Sequence, residues 1–445
     1  MRIVIAGAGG IGLHLARLLS SANHDIVLID VVKDVLDYAQ QHLDVHTIVG
    51  DASSIEVLQE AGIAKTSIFL AVTTRENDNI VSCILAKKLG AKQTIARIVN
   101  VANIRSEFKS TFYDLGVDKI ISPSLLASQE IVRLIQLTQV TDSFDFENNT
   151  ISLIGIRLDE PSKYIGRSID EIKLDKKTDY SPIAILRSDK TILPRNNTIL
   201  RKGDHLYFIM HKSEIEPFLE KVGLKSRNIK SIMFLGGSVI ALEAARRLEY
   251  DYNITIVEES EKGCKVLTNE LNNTLIIKGD PSNFELLKEE GLLGMDVLVA
   301  VTPNSETNII TSLLANNSGV FKTIASVENL DYTHISQNIG VDTIINKKII
   351  AANNIFRYVR KGKVEAIASL HGVDGEVIEF VIDTDSKLTK LPLRKLKLPE
   401  QAIIGVVLRD KDLIIPTGDF IFQVNDKVIV LALTEAIVDI ENLFR

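Results

Sequence analysis

Three glycines near the start of the chain carry its first chemistry. In RIVIAGAGGIGLHLARLL, Gly7, Gly9 and Gly12 stand in G-x-G-x-x-G spacing between an apolar run and a segment of helical periodicity. In that setting the first glycine permits a tight turn and the second lets a pyrophosphate approach the backbone. The third lets the helix pack close to the strand. The free N–H groups of the loop and the positive end of the helix then face the phosphates. Asp30 closes the next apolar run, IVLID, 18 residues beyond Gly12 (30 − 12). A carboxylate there accepts hydrogen bonds from adenosine ribose hydroxyls and repels a 2′-phosphate, which favours NAD over NADP. Other adenosine ligands share this chemistry.

Further polar residues close the following strands, each with two readings. Asp51 in VGDAS can reach an adenine ring or cap a helix. Thr73 and Thr74 end the fourth apolar run, where ligands enter open sheets, and can equally cap the next helix. Arg97 in TIARIV is costly inside a sheet unless it meets an anion, either a phosphate or a neighbouring acid.

These residues recur. Adding 229 to the residue number maps Gly7–Leu19 onto GGSVIALEAARRL at Gly236–Leu248, and Gly50–Asp51 onto Gly279–Asp280. The same offset maps Thr73, Asn79, Ala86 and Asn100, among others, onto identical residues. An offset of 224 then maps GVDKIISPSLLASQEIVR onto GVDTIINKKIIAANNIFR. The chain holds two copies of one unit. In the second copy Gly236 remains, but Ser238 and Ala241 replace Gly9 and Gly12, and Ser326 replaces Arg97. Glu258 still offers a ribose carboxylate, and Asp280 matches Asp51. That cradle is weakened; it can be empty, hold another nucleotide, or serve assembly.

Positioning these residues requires strands near Arg2–Ala6, Asp25–Ile29, Val45–Val49, Ser67–Val72, Thr94–Ile98 and Lys119–Ser122, alternating with helices. The strands are almost wholly apolar, as in a parallel sheet covered on both faces. The fold class is α/β: two tandem Rossmann-like, doubly wound parallel sheets, each followed by a small α+β lobe. Helical spacing stops in the polar, turn-rich stretches Thr141–Thr150 and His371–Val377. Beyond them, RSDKTILP and RDKDLIIP read as hairpins in small, mainly antiparallel lobes. The boundaries are 1–140 for the first nucleotide-binding lobe and 141–224 for its small lobe. The second large lobe takes 228–366 and the second small lobe 367–445.

The remaining composition restricts function. With 445 residues, 45% hydrophobic and 24% charged, the chain is an ordinary folded protein of several domains. No apolar run approaches the roughly 18–20 residues of a membrane span, and the opening MRIVIAG predicts no signal peptide. Cys83 and Cys264 are isolated in helical segments, which excludes a Cys₄ metal site and points to a reducing, cytosolic compartment. A net charge of −7 argues against a broad nucleic-acid surface. His42 and His46 are separated by a helix–strand boundary, and His205 and His211 flank the strand LYFIM. Neither pair supplies a metal site or the proton donor that a dehydrogenase needs beside nicotinamide. The basic stretch Lys387–Pro399 reads as a packed leucine face with a solvated charged side.

IVIAGAGGIGLHLARLL, IVLID, VGDAS, FLAVT, NIVSCILAKKLGA and TIARIVN together resemble the nucleotide-binding lobe of the TrkA/KtrA family, regulators of potassium conductance. The two stretches around RSDKTILPRNNTILRKGD and RDKDLIIPTGDFIFQVND resemble that family's C-terminal lobe, and the four-lobe order is that of its Trk-system members. The resemblance implies a cytosolic regulatory subunit, peripheral at the inner face of the membrane through a TrkH-type potassium transporter whose gate it controls. It implies homotetramers without nucleic-acid partners, and no catalysis: the ligand is read, not consumed. It further implies that Gly7, Ala8, Gly9, Gly10, Ile11, Gly12, Asp30, Thr73, Thr74 and Arg97 bind NAD(H) or an adenine nucleotide such as ATP or ADP. The residues alone leave open an NAD-dependent oxidoreductase and a redox-sensing nucleic-acid-binding regulator.

Overall fold

The computed structural model describes residues 1–445 apart from 22–23, 101–103, 105, 138–139, 147–149, 159–161, 174–179, 189, 225–228, 330–339, 360–363, 371–372, 384–386, 411 and 445. Parts of both expected inter-lobe stretches, at 147–149 and 371–372, therefore lie outside the described residues.

The first six strands are β1 (Arg2–Ala6), β2 (Asp25–Asp30), β3 (His46–Val49), β4 (Ile68–Ala71), β5 (Gln93–Arg97) and β6 (Lys119–Ile121). They form a parallel sheet in the order β3-β2-β1-β4-β5-β6, within one or two residues of the expected positions. Apolar strand residues such as Val4, Val27, Phe69 and Ala96 share a core with Leu58 and Cys83. Those two come from the crossover helices α3 (Ile55–Glu60) and α4 (Glu76–Lys88). α1 (Gly10–Ser21), α2 (Lys33–His42) and α5 (Ser106–Asp114) complete the set. The order reverses between β1 and β4, so their C-terminal ends open the crevice where such sheets take ligands.

After α6 (Pro123–Gln136) the chain enters the first small lobe, with strands β7 (Asp142–Phe146), β8 (Ile151–Arg157), β9 (Tyr180–Arg187), β10 (Lys190–Ile192) and β11 (His205–His211) and helices α7 (Ile169–Lys173) and α8 (Ile215–Val222). This sheet is antiparallel, in the order β10-β9-β11-β8-β7. The expected turn-rich stretch at Thr141–Thr150 contains β7, a correction to the sequence reading. Its DSFDF buries Phe146 and Asp142 as it pairs with β8, so composition hides a strand that pairing stabilises. Both expected hairpins form, β9 with β10 and, in the second small lobe, β20 (Ala402–Arg409) with β21 (Asp412–Ile414). Ser188 (φ 58) and Asp410 (φ 59) take the left-handed turn positions. Behind each hairpin an arginine grips a buried carboxylate in bidentate fashion: Arg187 on Asp204 at 2.7 Å, and Arg409 on Asp426 at 2.8 Å.

The second large lobe repeats the first: β12 (Ser231–Leu235), β13 (Asn253–Glu258), β14 (Thr274–Lys278), β15 (Val297–Ala300), β16 (Lys322–Ser326) and β17 (Thr343–Ile345) lie in the order β14-β13-β12-β15-β16-β17. Its helices include α9 (Val239–Leu248), α10 (Glu261–Glu270), α11 (Phe284–Glu289) and α12 (Ser305–Asn317). The second small lobe adds β18 (Val364–Ser369), β19 (Gly375–Val381) and β22 (Lys427–Leu433) to its hairpin, in the order β18-β19-β22-β20-β21. β18 straddles the boundary expected at 366/367.

Two features of the packing lie beyond a linear row of four lobes. The two small sheets share one core, in which Leu153, Ile183 and Ile209 pack with Val377, Val406 and Ile429. At Gly405 a β-carbon would meet Ile183 and Ile209 at 2.8 Å, so only glycine lets the sheets approach this closely. The second feature is a helix exchange. α13 (Lys347–Val359) follows β17 in sequence but packs along α1 of the first lobe. One compact unit accordingly comprises Met1–Ala127 with Asn346–Val359, and the other Ser128–Ile345 with Arg360–Arg445.

Within the second unit, the end of α6 is held by a buried cation. Lys322, in β16, sends its ammonium to the carbonyls of Leu134 (2.7 Å), Leu137 (3.4 Å) and Val140 (2.8 Å). A cation at a helix C-terminus complements the dipole, but burial dominates and pulls its pKa down to about 7, against the upward pull of Asp342, Asp142 and Glu130. In the unfolded chain the group titrates near 10.4. Between those values the unfolded chain binds more protons, so this group makes stability rise with pH from about 7 to about 10.4 and flatten below. Denaturation of Lys322→Met at pH 7, 8, 9 and 10 is expected to show a shallower rise than the native chain. The difference should approach, and not exceed, about 1.4 kcal/mol per pH unit. Equal slopes for the two proteins would refute the assignment.

Candidate nucleotide site

The crevice of the first lobe is built around the turn between β1 and α1. Gly7 adopts φ +103°, and a β-carbon there would come within 2.8 Å of the Thr73 backbone nitrogen. At Gly12 a β-carbon would sit 1.8 Å from the Gly7 carbonyl oxygen. Both glycines are thus demanded by closure of the turn. Gly9 differs: no atom lies within 4 Å of the position its β-carbon would take. Gly9 and Gly10 are exposed while Ala8, Ile11 and Gly12 are buried, so the open side of the loop is the side carrying the first N–H groups of α1. A helix leaves those groups without intrahelical partners.

Asp30, at the end of β2, accepts from Ala8 N–H at 2.6 Å through one carboxylate oxygen and from Val32 N–H at 2.9 Å through the other. It therefore braces the glycine turn. Asp51 is exposed and accepts from the backbone and hydroxyl of Ser53 at 2.8 and 2.7 Å, bonds that lower its pKa. The cap position of α3 falls to Ser54. Asp51 thus shapes the turn before that helix and keeps an exposed face.

Thr73 lies just past β4 and is held by Asn79, a residue that site reasoning from the sequence passed over. The buried Asn79 accepts from Thr73 N–H (2.9 Å) and hydroxyl (2.7 Å), and donates to the carbonyls of Thr73 (3.1 Å) and Arg97 (2.9 Å). One amide thereby ties the ends of β4 and β5 together across the crevice. Its signal was present in the sequence as an identical residue, Asn308, in the second copy. Thr74 is exposed beside it. Arg97 ends β5 half-buried, with Nη1 3.4 Å from the Thr73 carbonyl oxygen, a placement that brings its guanidinium to the same crevice.

The second lobe keeps this frame and changes the loop. Gly236 again takes a positive φ (+91°), and Asn308 again pins Thr302 and the Ser326 carbonyl, at 2.7–3.0 Å. Glu258 accepts from Gly237 N–H at 2.6 Å and Ser260 N–H at 2.8 Å, copying Asp30. Asp280 copies Asp51, with Ser282 lowering its pKa. Ser238, however, is the N-cap of α9, and its hydroxyl accepts from Ala241 N–H at 3.4 Å. Where Gly9 leaves open space over the helix start, the second lobe places a side chain. The second lobe thus keeps the carboxylate but fills the space that the first leaves open over the helix start.

Among the described residues no cluster of three or more His, Cys, Asp or Glu is arranged to hold a metal, and no helix is long and apolar enough to cross a membrane. Cys83 is buried, which pushes its thiol pKa far up, away from reactivity.

The TrkA-N domain family matches residues 3–123 and 232–347, and the TrkA-C domain family residues 153–223 and 377–445. The chain is 32% identical to the Trk system potassium uptake protein TrkA homolog of Archaeoglobus fulgidus over 446 residues, covering all of both chains. It is 31% identical to the Trk system potassium uptake protein TrkA of Haemophilus influenzae, covering 100% of this chain and 99% of that one. In fold it is similar to the GsuK channel bound to NAD, with a TM-score of 0.62 at 15% identity, over 100% of this chain and 78% of that one. The duplicated sheet-and-lobe architecture, the two pairs of domain matches and the full-length likeness agree: the chain belongs to the TrkA family of Trk-system potassium uptake proteins.

Proposed function

We propose that this protein is the cytosolic regulatory subunit of a TrkH-type membrane potassium transporter, and that it reads an adenosine nucleotide, NAD(H) or ATP/ADP, in its first cradle. The observation that carries the reading is the open loop at Gly9 beside Asp30 in a chain of this family. Gly7–Gly12 would hold the phosphates, Asp30 the ribose, and Thr73, Thr74, Arg97 and Asp51 the rim of the crevice. Gly236, Ser238, Glu258 and Asp280 would form a weaker second position. A bound nucleotide shifts a conformational equilibrium only as far as it prefers one shape, and the transporter gate would respond to that preference. Such a device needs no reacting groups beside the nicotinamide. Assembly into homotetramers is supported by apolar side chains left in solvent: Val81 on α4, Phe108 and Tyr113 on α5, and on α12 Ile310, the repeat counterpart of Val81.

Titration of the native chain with NADH, NAD, ATP and ADP is expected to give one tight site per chain. Asp30→Asn, which keeps the side-chain shape, should weaken binding about tenfold, the loss of one charged hydrogen-bond acceptor. Detergent-solubilised membranes should yield a polytopic transporter with the tagged protein. A chain that captures none of the four ligands, or that turns over NADH with a substrate, would overturn the reading.

A further inference from the structure

The helix exchange brings a cation from the second repeat to the glycine loop of the first. α13 lies along α1, and the position of a β-carbon on Gly10, the first residue of α1, is 3.0 Å from Lys348 Cδ and 3.5 Å from its Nζ. The absence of a side chain at Gly10 is what gives the lysine stem its place. The start of α13 is fixed: the buried Asn346 accepts from the N–H groups of Lys348 (2.9 Å) and Ile349 (3.2 Å). Lys348 is half-buried, so its stem is held while its ammonium stands next to the exposed Gly9–Gly10 turn.

The electrostatics of this placement point to an anion. Lys348 stands in the first turn of its own helix and against the first residue of α1, and neither first turn contains an acidic side chain. The N-terminus of α1 and the lysine ammonium therefore share one place, where the dipole of α1 disfavours a cation. A phosphate group reverses the sign of every one of these terms. The loop N–H groups, the dipole of α1 and the lysine charge then act together.

We propose that Lys348 is a phosphate-binding residue of the first nucleotide cradle, supplied to it by the second repeat; this rests on the nucleotide reading given above. The ligand class is an adenosine nucleotide with at least a diphosphate. Because α13 runs to Val359 and the chain then reaches β18 at Val364, nucleotide held by Lys348 is tied to the segment leading into the second small lobe. By the repeat alignment the counterpart of Lys348 is Ser124 (348 − 224), which carries no charge.

Binding of NADH, ADP and adenosine to the native chain, Lys348→Met and Lys348→Arg separates the possibilities. Lys348→Met is expected to weaken NADH and ADP about tenfold, to flatten the salt dependence of their binding, and to leave adenosine unchanged; Lys348→Arg should stay within about threefold of the native chain. Lys348→Gln, with a polar stem at the helix start, is the second variant and should show the same drop. If the native chain binds ADP and the uncharged variants bind it within twofold of native, the lysine assignment is wrong while the nucleotide reading stands. If the native chain binds neither NADH nor ADP, both are wrong. Equal loss of adenosine and ADP would make Lys348 a structural residue and overturn the proposal.

Discussion

Gly12→Val is expected to destabilise the first lobe by about 3 kcal/mol, the upper range for forcing extra atoms into a packed site, and to abolish nucleotide capture. A β-carbon at this position would lie 1.8 Å from the Gly7 carbonyl oxygen, and the atom it meets is backbone, with no rotamer that relieves the clash. The turn must open, which carries Gly7 away from Thr73 and the loop N–H groups away from a common point. Gly9→Ala is the contrasting variant. No atom lies within 4 Å of its new methyl, so denaturation should match the native chain within about 0.5 kcal/mol. On the proposed reading that methyl takes the space through which a phosphate would reach the backbone, and affinity should fall at least tenfold. Stability lost in one variant and affinity alone in the other would separate the glycine that closes the turn from the glycine that admits the ligand. A Gly9→Ala protein with native affinity would mean that phosphate does not sit over this loop. The second repeat carries Ala241, smaller than valine, at the Gly12 position and Ser238, larger than alanine, at the Gly9 position; its helix starts at the corresponding residue, Val239.

The sequence carried the sheets and the cradle because their signals are local. Apolar β-branched runs mark the strands of a covered parallel sheet, and glycine spacing marks the turn; Arg2–Ala6 is found as expected to the residue. The aspartate pair Asp51 and Asp280, and the carboxylates Asp30 and Glu258, are positioned by bonds to backbone groups within their own turns or the adjacent glycine loop. What was illegible is non-local. Helical periodicity in INKKIIAANNIFRYV shows that α13 has an apolar face, but not that this face covers the other repeat's sheet unit. In the sequence Lys348 therefore reads as a surface-type lysine, and only the fold brings it to Gly10. β7 escaped because its acidic and serine residues read as a turn, and only pairing with β8 makes the strand. The shared core of the small lobes escaped for the same reason as the helix exchange: apolarity tells a strand to be buried and does not name its partner.

The largest stability effect outside the glycine loop is expected at Asn79, and its repeat partner makes the experiment self-controlled. Asn79→Ala leaves the Thr73 N–H, the Thr73 carbonyl and the Arg97 carbonyl without their amide, and each such group costs about 1–3 kcal/mol when buried. Partial access of water to the crevice lowers the sum, and a loss of about 4 kcal/mol is expected, a large share of the roughly 5–15 kcal/mol of a folded domain. Asn308→Ala should cost a similar amount, since it pins Thr302 and Ser326 with the same four bonds in the second sheet. The two differ in function. Only Asn79 holds Thr73 and the end of β5 at the cradle proposed to take the nucleotide, so Asn79→Ala should also weaken nucleotide binding, while Asn308→Ala should leave it near native. Asn79→Asp gives a stricter test. It retains the acceptor for Thr73 N–H and hydroxyl but turns a carboxylate oxygen toward two carbonyls, so it should be as destabilising as alanine. Denaturation curves for the three proteins, each with and without nucleotide, read both quantities. Equal binding losses from Asn79→Ala and Asn308→Ala would show that the two cradles contribute alike, against the asymmetry that Ser238 and Lys348 introduce.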